Sequence, residues 1–270
     1  VATTSLITAI LSQAIAYAQK DIMQSLRFKV DFLATTFVPA LINLGLFGTL
    51  FFGFFKTGAP GLAELNSQNF AAFTVLGALS STLYTQAINS FQYKFLLEKY
   101  WQTVHGLLAS PLSPWALLFG AMLSEAFRFS TVVTSFLLLA YIFWPPPLLS
   151  LLAVIILLGL LYITISGVSL IRSVLWLHNE NWDPLITYFM MGTAYLACFY
   201  YPISFLPSFL QPLAAINPIY YFVYSVRALW LQLPLEPSFL AVGFLLAVIS
   251  PMIGTYLFQR LWRNLDITGY

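Results

Sequence analysis

The sequence is short of charge: its 270 residues include eleven lysines and arginines and nine aspartates and glutamates, 7% in all. A soluble domain has about a quarter of its residues charged, and this chain has too few to clothe its surface in water. The net charge of +2 supplies no basic stripe for phosphates, so no nucleic-acid partner is expected. A single cysteine, Cys198, excludes an internal disulfide and a thiolate metal cage; it reads as a small apolar residue packed in a helix. The two histidines, His105 and His178, both fall in polar breaks. There is no HExxH, G-x-S-x-G, P-loop or pair of buried carboxylates. No catalytic residue, metal site or cofactor site is therefore expected within the chain. What is abundant is apolar surface, 60% of residues hydrophobic and 17% aromatic. The chain reads as an integral membrane protein.

Apolar runs long enough to cross a hydrocarbon core, about 20 helical residues, occur six times: Leu33–Phe55, Phe70–Phe91, Trp115–Phe143, Leu148–Leu170, Leu185–Phe205 and Phe239–Phe258. Lysine and arginine mark the cytoplasmic side of such spans. Lys20, Arg27 and Lys29 precede the first; Lys94 and Lys99 read as loop residues after the second. Arg172 reads as the start of the next cytoplasmic loop, and Arg260 and Arg263 follow the last span. Only Lys56 and Arg227 fall on the other side, which places both termini in the cytoplasm. Residues 1–31 are too polar for a seventh span. Their apolar positions, among them Ile7, Leu11, Ala14, Ala18, Ile22 and Leu26, recur on one helical face, so this segment reads as an amphipathic helix along the cytoplasmic interface. Asp183 and Pro184 read as the N-cap and first turn of the fifth span.

Polar residues inside the spans are few and placed. Gly77, Ser81, Thr85 and Asn89 follow one another at fourfold spacing, with Gln86 and Ser90 beside them. Such a stripe suits either close helix packing or a substrate path. Glu125 and Arg128 stand three apart on one face of the third span and are expected to pair, in either a structural or a functional role. After the fifth span, Pro202, Pro207, Pro212 and Pro218 break a stretch too apolar for a solvated loop. The segment 202–237 reads as two short re-entrant helices, Phe205–Pro212 and Ile219–Leu231, in the outer leaflet. The expected fold is thus all-α, with six transmembrane helices, an N-terminal interface helix and two outer re-entrant helices.

The stretch 94–114 is an amphipathic helix ended by a Ser-Pro turn, with Glu98, Thr103, Leu107, Leu108, Ser110 and Pro111 in order. It resembles the coupling segment of ABC-2 type transporter permeases, departing from that pattern at Gln102 and His105. The outer region, with Pro202, Pro207, Leu210, Asn217, Pro218, Tyr220, Tyr221 and Arg227, is similar to the same family's. The resemblance spans essentially the whole chain. It implies a subunit that pairs with a second permease chain as a homodimer and rests on two copies of an ATP-binding subunit, where ATP and magnesium reside. It also implies that Glu98, Lys99, Tyr100, Trp101 and Thr103 meet the ATPase, and that the outer helices close the exit path.

This agrees with what the residues show unaided: a chain without a nucleotide site needs an external energy source to move anything uphill. The expected function is export of an amphipathic drug or lipid across an inner membrane, because scarce intramembrane charge disfavours a small charged solute. Lipid-linked glycan export is the alternative, on account of the aromatic outer face. A secondary carrier should show broken helices in both halves, and here the proline-broken region occurs once. A channel is the third class.

Overall fold

The computed structural model describes residues 2–57, 65–100 and 113–264, and among them it is all helical, with no β-strand. The helices are α1 (Ala2–Arg27), α2 (Lys29–Lys56), α3 (Phe70–Tyr100), α4 (Pro114–Phe143), α5 (Leu148–His178), α6 (Asp183–Leu196), α7 (Gln211–Ile216), α8 (Pro218–Leu231) and α9 (Pro237–Asn264). Proline sets most of the starts. Pro114, Pro184, Pro212 and Pro218 occupy the first turns of α4, α6, α7 and α8, where a missing N–H costs nothing. Asn217 caps α8 by accepting a hydrogen bond from the Ile219 N–H at 3.1 Å.

Four helical segments are long and apolar enough to cross a membrane: Lys29–Lys56, Trp115–Phe143, Leu148–Trp176 and Pro237–Arg260. They expose apolar side chains such as Leu46, Ile142, Ile156 and Phe244, as a lipid-facing surface should. The long α3 is the polar one, and it lies at the centre, packed against α2, α4, α5 and α8. A polar helix tolerates that position because its hydroxyls are satisfied locally. Thr74, Ser80 and Thr82 each donate to the carbonyl four residues back, at 2.7–2.9 Å. On the far side of α5, α9 is tied on by Ser250 Oγ, which donates to the Thr164 carbonyl at 2.7 Å.

The N-terminal segment is a helix, as its periodicity predicts, and it docks on α4. Ala14 and Ala18 are buried there. The approach is close: a Cβ on Gly120 would stand 2.7 Å from the Ala14 carbonyl oxygen and 2.9 Å from Tyr17 Cβ. Glycine at 120 is what lets α1 seat.

The structure departs from the sequence reading in several places. The fifth apolar run is helical only over Asp183–Leu196, about 21 Å at 1.5 Å per residue, not continuously to Phe205. Cys198 takes a left-handed backbone, φ 56°, and turns the chain before Pro202. The first short outer helix is Gln211–Ile216, preceded by a 3-10 turn at Ile203–Phe205, whereas the second, Pro218–Leu231, starts one residue before the expected position. Lys94 and Arg172 are not loop residues; both lie inside helices, 7% exposed. Asp183 does not cap α6: it is the first helical residue, and its carboxylate accepts from Arg172 and Gln92 instead.

Candidate functional site: a charged cavity at the α1 end

Lys94 sits two turns after Gln86 on α3, and its ammonium reaches toward α1 and α4. It lies 2.8 Å from Asp21 Oδ2 and 3.2 Å from Glu125 Oε1, and it donates to the Ala121 carbonyl at 3.1 Å and to Ser124 Oγ. The second Glu125 oxygen accepts from the Tyr162 hydroxyl of α5 at 3.1 Å. Three helices and a fourth are thereby joined through one ammonium and one carboxylate. A buried ammonium survives only with such company, because each charge left unpaired out of water costs several kcal/mol.

The expected Glu125–Arg128 pair is looser than the sequence suggests. Arg128 Nε is 4.0 Å from Glu125 Oε1, while its Nη2 donates to Ser25 of α1 at 2.9 Å. Lys94, not Arg128, is the close partner of Glu125. Burial pushes the Asp21 carboxyl up, but the adjacent Lys94 ammonium, the Ser124 hydroxyl and Arg128 outweigh it and hold the group below the usual carboxylate range.

Above this network lies a cavity of about 490 Å³. Its floor is Lys94 and Glu125, both buried; Thr85, Asn89, Asp31 and Thr35 are exposed at its mouth. The cavity brings together Thr85, Asn89, Glu125 and Arg128, which the sequence singles out on two separate spans. Ser81 stands one turn further along, half-buried, and receives the Thr85 hydroxyl on its carbonyl at 2.9 Å. Asn89 Nδ2 in turn donates to the Thr85 carbonyl at 2.9 Å.

Beside the cavity a second cation is buried. Arg172 donates to Asn89 Oδ1 at 2.9 Å, to Asp183 Oδ1 at 3.0 Å and to Thr187 Oγ1 at 2.9 Å, fastening α3, α5 and α6. Sequence reasoning missed Asp21, Lys94 and Arg172, yet the register held a signal for one of them. Gln86, Ser90 and Lys94 follow at fourfold spacing and all line the cavity, so extending the polar register by four residues reaches Lys94.

The other end of α3 is built differently. Arg227 of α8 is 2% exposed; it donates to the Cys198 carbonyl at 2.9 Å and to the Phe199 carbonyl, and its guanidinium lies 3.6 Å from the centre of the Phe73 ring. Gly77 makes room for this arrangement. A Cβ there would collide with the Phe199 carbonyl oxygen and stand 2.8 Å from Arg227 Nη2. Of the expected outer residues, Asn217 is buried and donates to the Thr193 carbonyl at 2.7 Å, and Tyr220 is buried. The Tyr221 hydroxyl donates to the Ala215 carbonyl at 2.6 Å. Pro202 is buried before the 3-10 turn, Pro207 and Pro218 are exposed. From Gly77 to Lys94 is about 26 Å along α3, so the two cations lie at opposite ends of the bundle.

Glu98, Lys99 and Tyr100 form the final turn of α3 beyond Lys94. Trp101 and Thr103, which the resemblance assigns to the same contact, lie outside the described residues.

Among the described residues charge is buried toward the two ends of the helical bundle, and the sequence decides which family the bundle belongs to. The sequence profile of the ABC-2 type transporter family matches residues 12–231. The chain belongs to the ABC-2 type transporter family. It is also 25% identical over 252 residues to the "Putative transport permease ycf38" of Cyanophora paradoxa, an alignment covering 87% of this chain and 84% of that one. Family membership makes this ABC-2 chain the multi-pass membrane component of a transporter and implies an ATP-binding partner. The profile takes in α1 from residue 12 onward together with the Lys94 network, Arg172 and Arg227, so both buried-cation nodes belong to the family's domain.

Proposed function

We propose that this chain is the permease subunit of an ATP-driven exporter, moving an amphipathic drug or lipid out of the cytoplasm across an inner membrane. In this reading two copies form a homodimer above two copies of a separate ATP-binding subunit, which carries ATP and magnesium. Both termini are cytoplasmic, and the α1 end faces the ATPase. Counting α3 and α6 with the four long apolar helices gives six spans, and α7 and α8 are the re-entrant pair.

One observation carries the reading: Asp21, Lys94 and Glu125 fasten α1 to α3 and α4 at the floor of a polar cavity. A displacement of α1, or of the Glu98–Tyr100 end of α3, is delivered directly to that floor. This supports an external motor acting on an internal site. At the α8 end, a cavity of about 260 Å³ is lined by Phe47, Phe51, Phe54, Phe205 and Leu206, among others. Its apolar wall favours a hydrocarbon portion in the cargo over a sugar.

The test is co-purification with the ATP-binding subunit, followed by hydrolysis and transport in proteoliposomes. Glu98→Ala and Trp101→Ala are expected to uncouple hydrolysis from transport. Transport that persists without the ATPase would defeat the reading.

A further inference from the structure

The cavity at the α1 end has a sign. Its lining holds three carboxylates, Asp21, Asp31 and Glu125, against two cations, Lys94 and Arg128. Both cations are already engaged: Lys94 by Asp21 and Glu125, and Arg128 by Ser25 with Glu125 at 4.0 Å. The Lys94 ammonium is saturated by these partners together with the Ala121 carbonyl and Ser124. Asp31, in contrast, makes no ion pair with any described residue, and it stands exposed at the mouth. The nearby Arg27 and Lys29 are exposed and lie outside the lining.

The neutral polar groups point the same way. Gln86 Oε1 is buried in the wall with no hydrogen-bond partner, an acceptor in the same lining as the Asp31 carboxylate. Phe28 and Phe32 flank Asp31 in the lining and supply an apolar wall beside the charge. In the lining carboxylates outnumber cations by three to two, and a cation bearing N–H groups would find acceptors in both Asp31 and Gln86.

We infer that the cavity between α1, α2, α3 and α4 is a binding site for the cationic headgroup of an amphiphile, an amine or amidinium, with Asp31 as its counter-ion. This rests on the export reading and narrows its cargo from amphiphiles in general to cationic ones. The same charge balance disfavours phosphate-linked carriers at this site.

The test compares two dyes on one xanthene frame. Fluorescence polarisation of rhodamine 6G, a cation, and of fluorescein, an anion at pH 8, is measured on the full chain in phosphatidylcholine nanodiscs, with empty nanodiscs as reference. Rhodamine 6G is expected to bind saturably and fluorescein not at all. Asp31→Asn should weaken rhodamine 6G binding about two- to fivefold, the effect of removing one partly screened counter-ion. Asp31→Lys should reverse the preference. A measurement on the unaltered chain stands beside the variants: dodecylamine should displace rhodamine 6G and dodecanol should not. Equal binding of both dyes, equal displacement by both competitors, or full affinity in folded Asp31→Asn would overturn the inference. No ATPase is present in these measurements, so their failure is distinct from failure of the motor-coupled transport assay.

Discussion

At the α8 end Arg227 is held by two carbonyl oxygens and the face of Phe73, whereas at the α1 end Lys94 is held by carboxylates from two other helices. The partners described for Arg227 are backbone and ring. These carry no net charge, do not titrate, and are fixed by the turn at Cys198 and the missing side chain at Gly77. The Lys94 partners are side chains beside an open cavity, and Glu125 also has Arg128 and Tyr162 within reach. A shift of Arg227 away from the two carbonyls and Phe73 costs a buried charge its partners. Lys94 and Arg128 both stand near Glu125 Oε1, at 3.2 and 4.0 Å, so this carboxylate has a second cation to turn to. The difference assigns a fixed anchor to one end and a rearrangeable joint to the other.

Removing Arg227 should have the largest effect. Arg227→Leu leaves two carbonyls without donors in a tight apolar site, and the thermal unfolding midpoint should report a loss of about 4 kcal/mol. Arg227→Lys should recover less than half of it, because an ammonium neither bridges both carbonyls nor lies flat on Phe73. At the other end, Lys94→Met leaves Asp21 and Glu125 without their shared cation and should cost about 3 kcal/mol. Here the comparison sharpens: the triple change with Asp21→Asn and Glu125→Gln should restore most of that loss, since carboxylates can be neutralised and carbonyls cannot.

Gly77→Ala should cost about 2 kcal/mol by forcing α3 away from the Phe199 carbonyl, with hydrogen exchange quickening in α8 and not in α1. The smallest effect is on pH. Asp21 sits below its free value of 3.8 in the folded chain. Its ionised form is therefore favoured by folding, and its stabilisation is complete above that free value and lost as pH falls through the lower folded one. Acidification toward that range should loosen α1, read as faster exchange in α1, while α8 stays unchanged.

Much of the fold was legible because proline and apolar length act locally. Four helices long and apolar enough to cross a membrane stand where the runs predict them, and Asn217-Pro218 marks the start of α8 to within a residue. The grouping of Thr85 and Asn89 with Glu125 and Arg128 was half legible: each pattern shows a polar face, but only packing brings two faces to one cavity. Lys94 and Arg172 were misplaced because a lysine or arginine near the end of an apolar run looks the same whether it enters water or turns inward to a carboxylate. Their partners, Asp21 and Asp183, are distant in sequence or in another helix. The end of α6 at Leu196 was illegible for another reason, since nothing in the residue type of Cys198 announces a left-handed backbone.

The claim that one end is fixed and the other moves is tested most directly by spin-label distances in the assembled transporter, with and without ATP. One label pair spans α1 and α4, at Ala16 and Leu123; the other spans the α8 end, at Gln68 and Leu213. All four positions are exposed, and native Cys198 is buried and will not take up label. The first distance should change with nucleotide and the second should not. A nucleotide-dependent change at the α8 end with none between α1 and α4 would contradict the account.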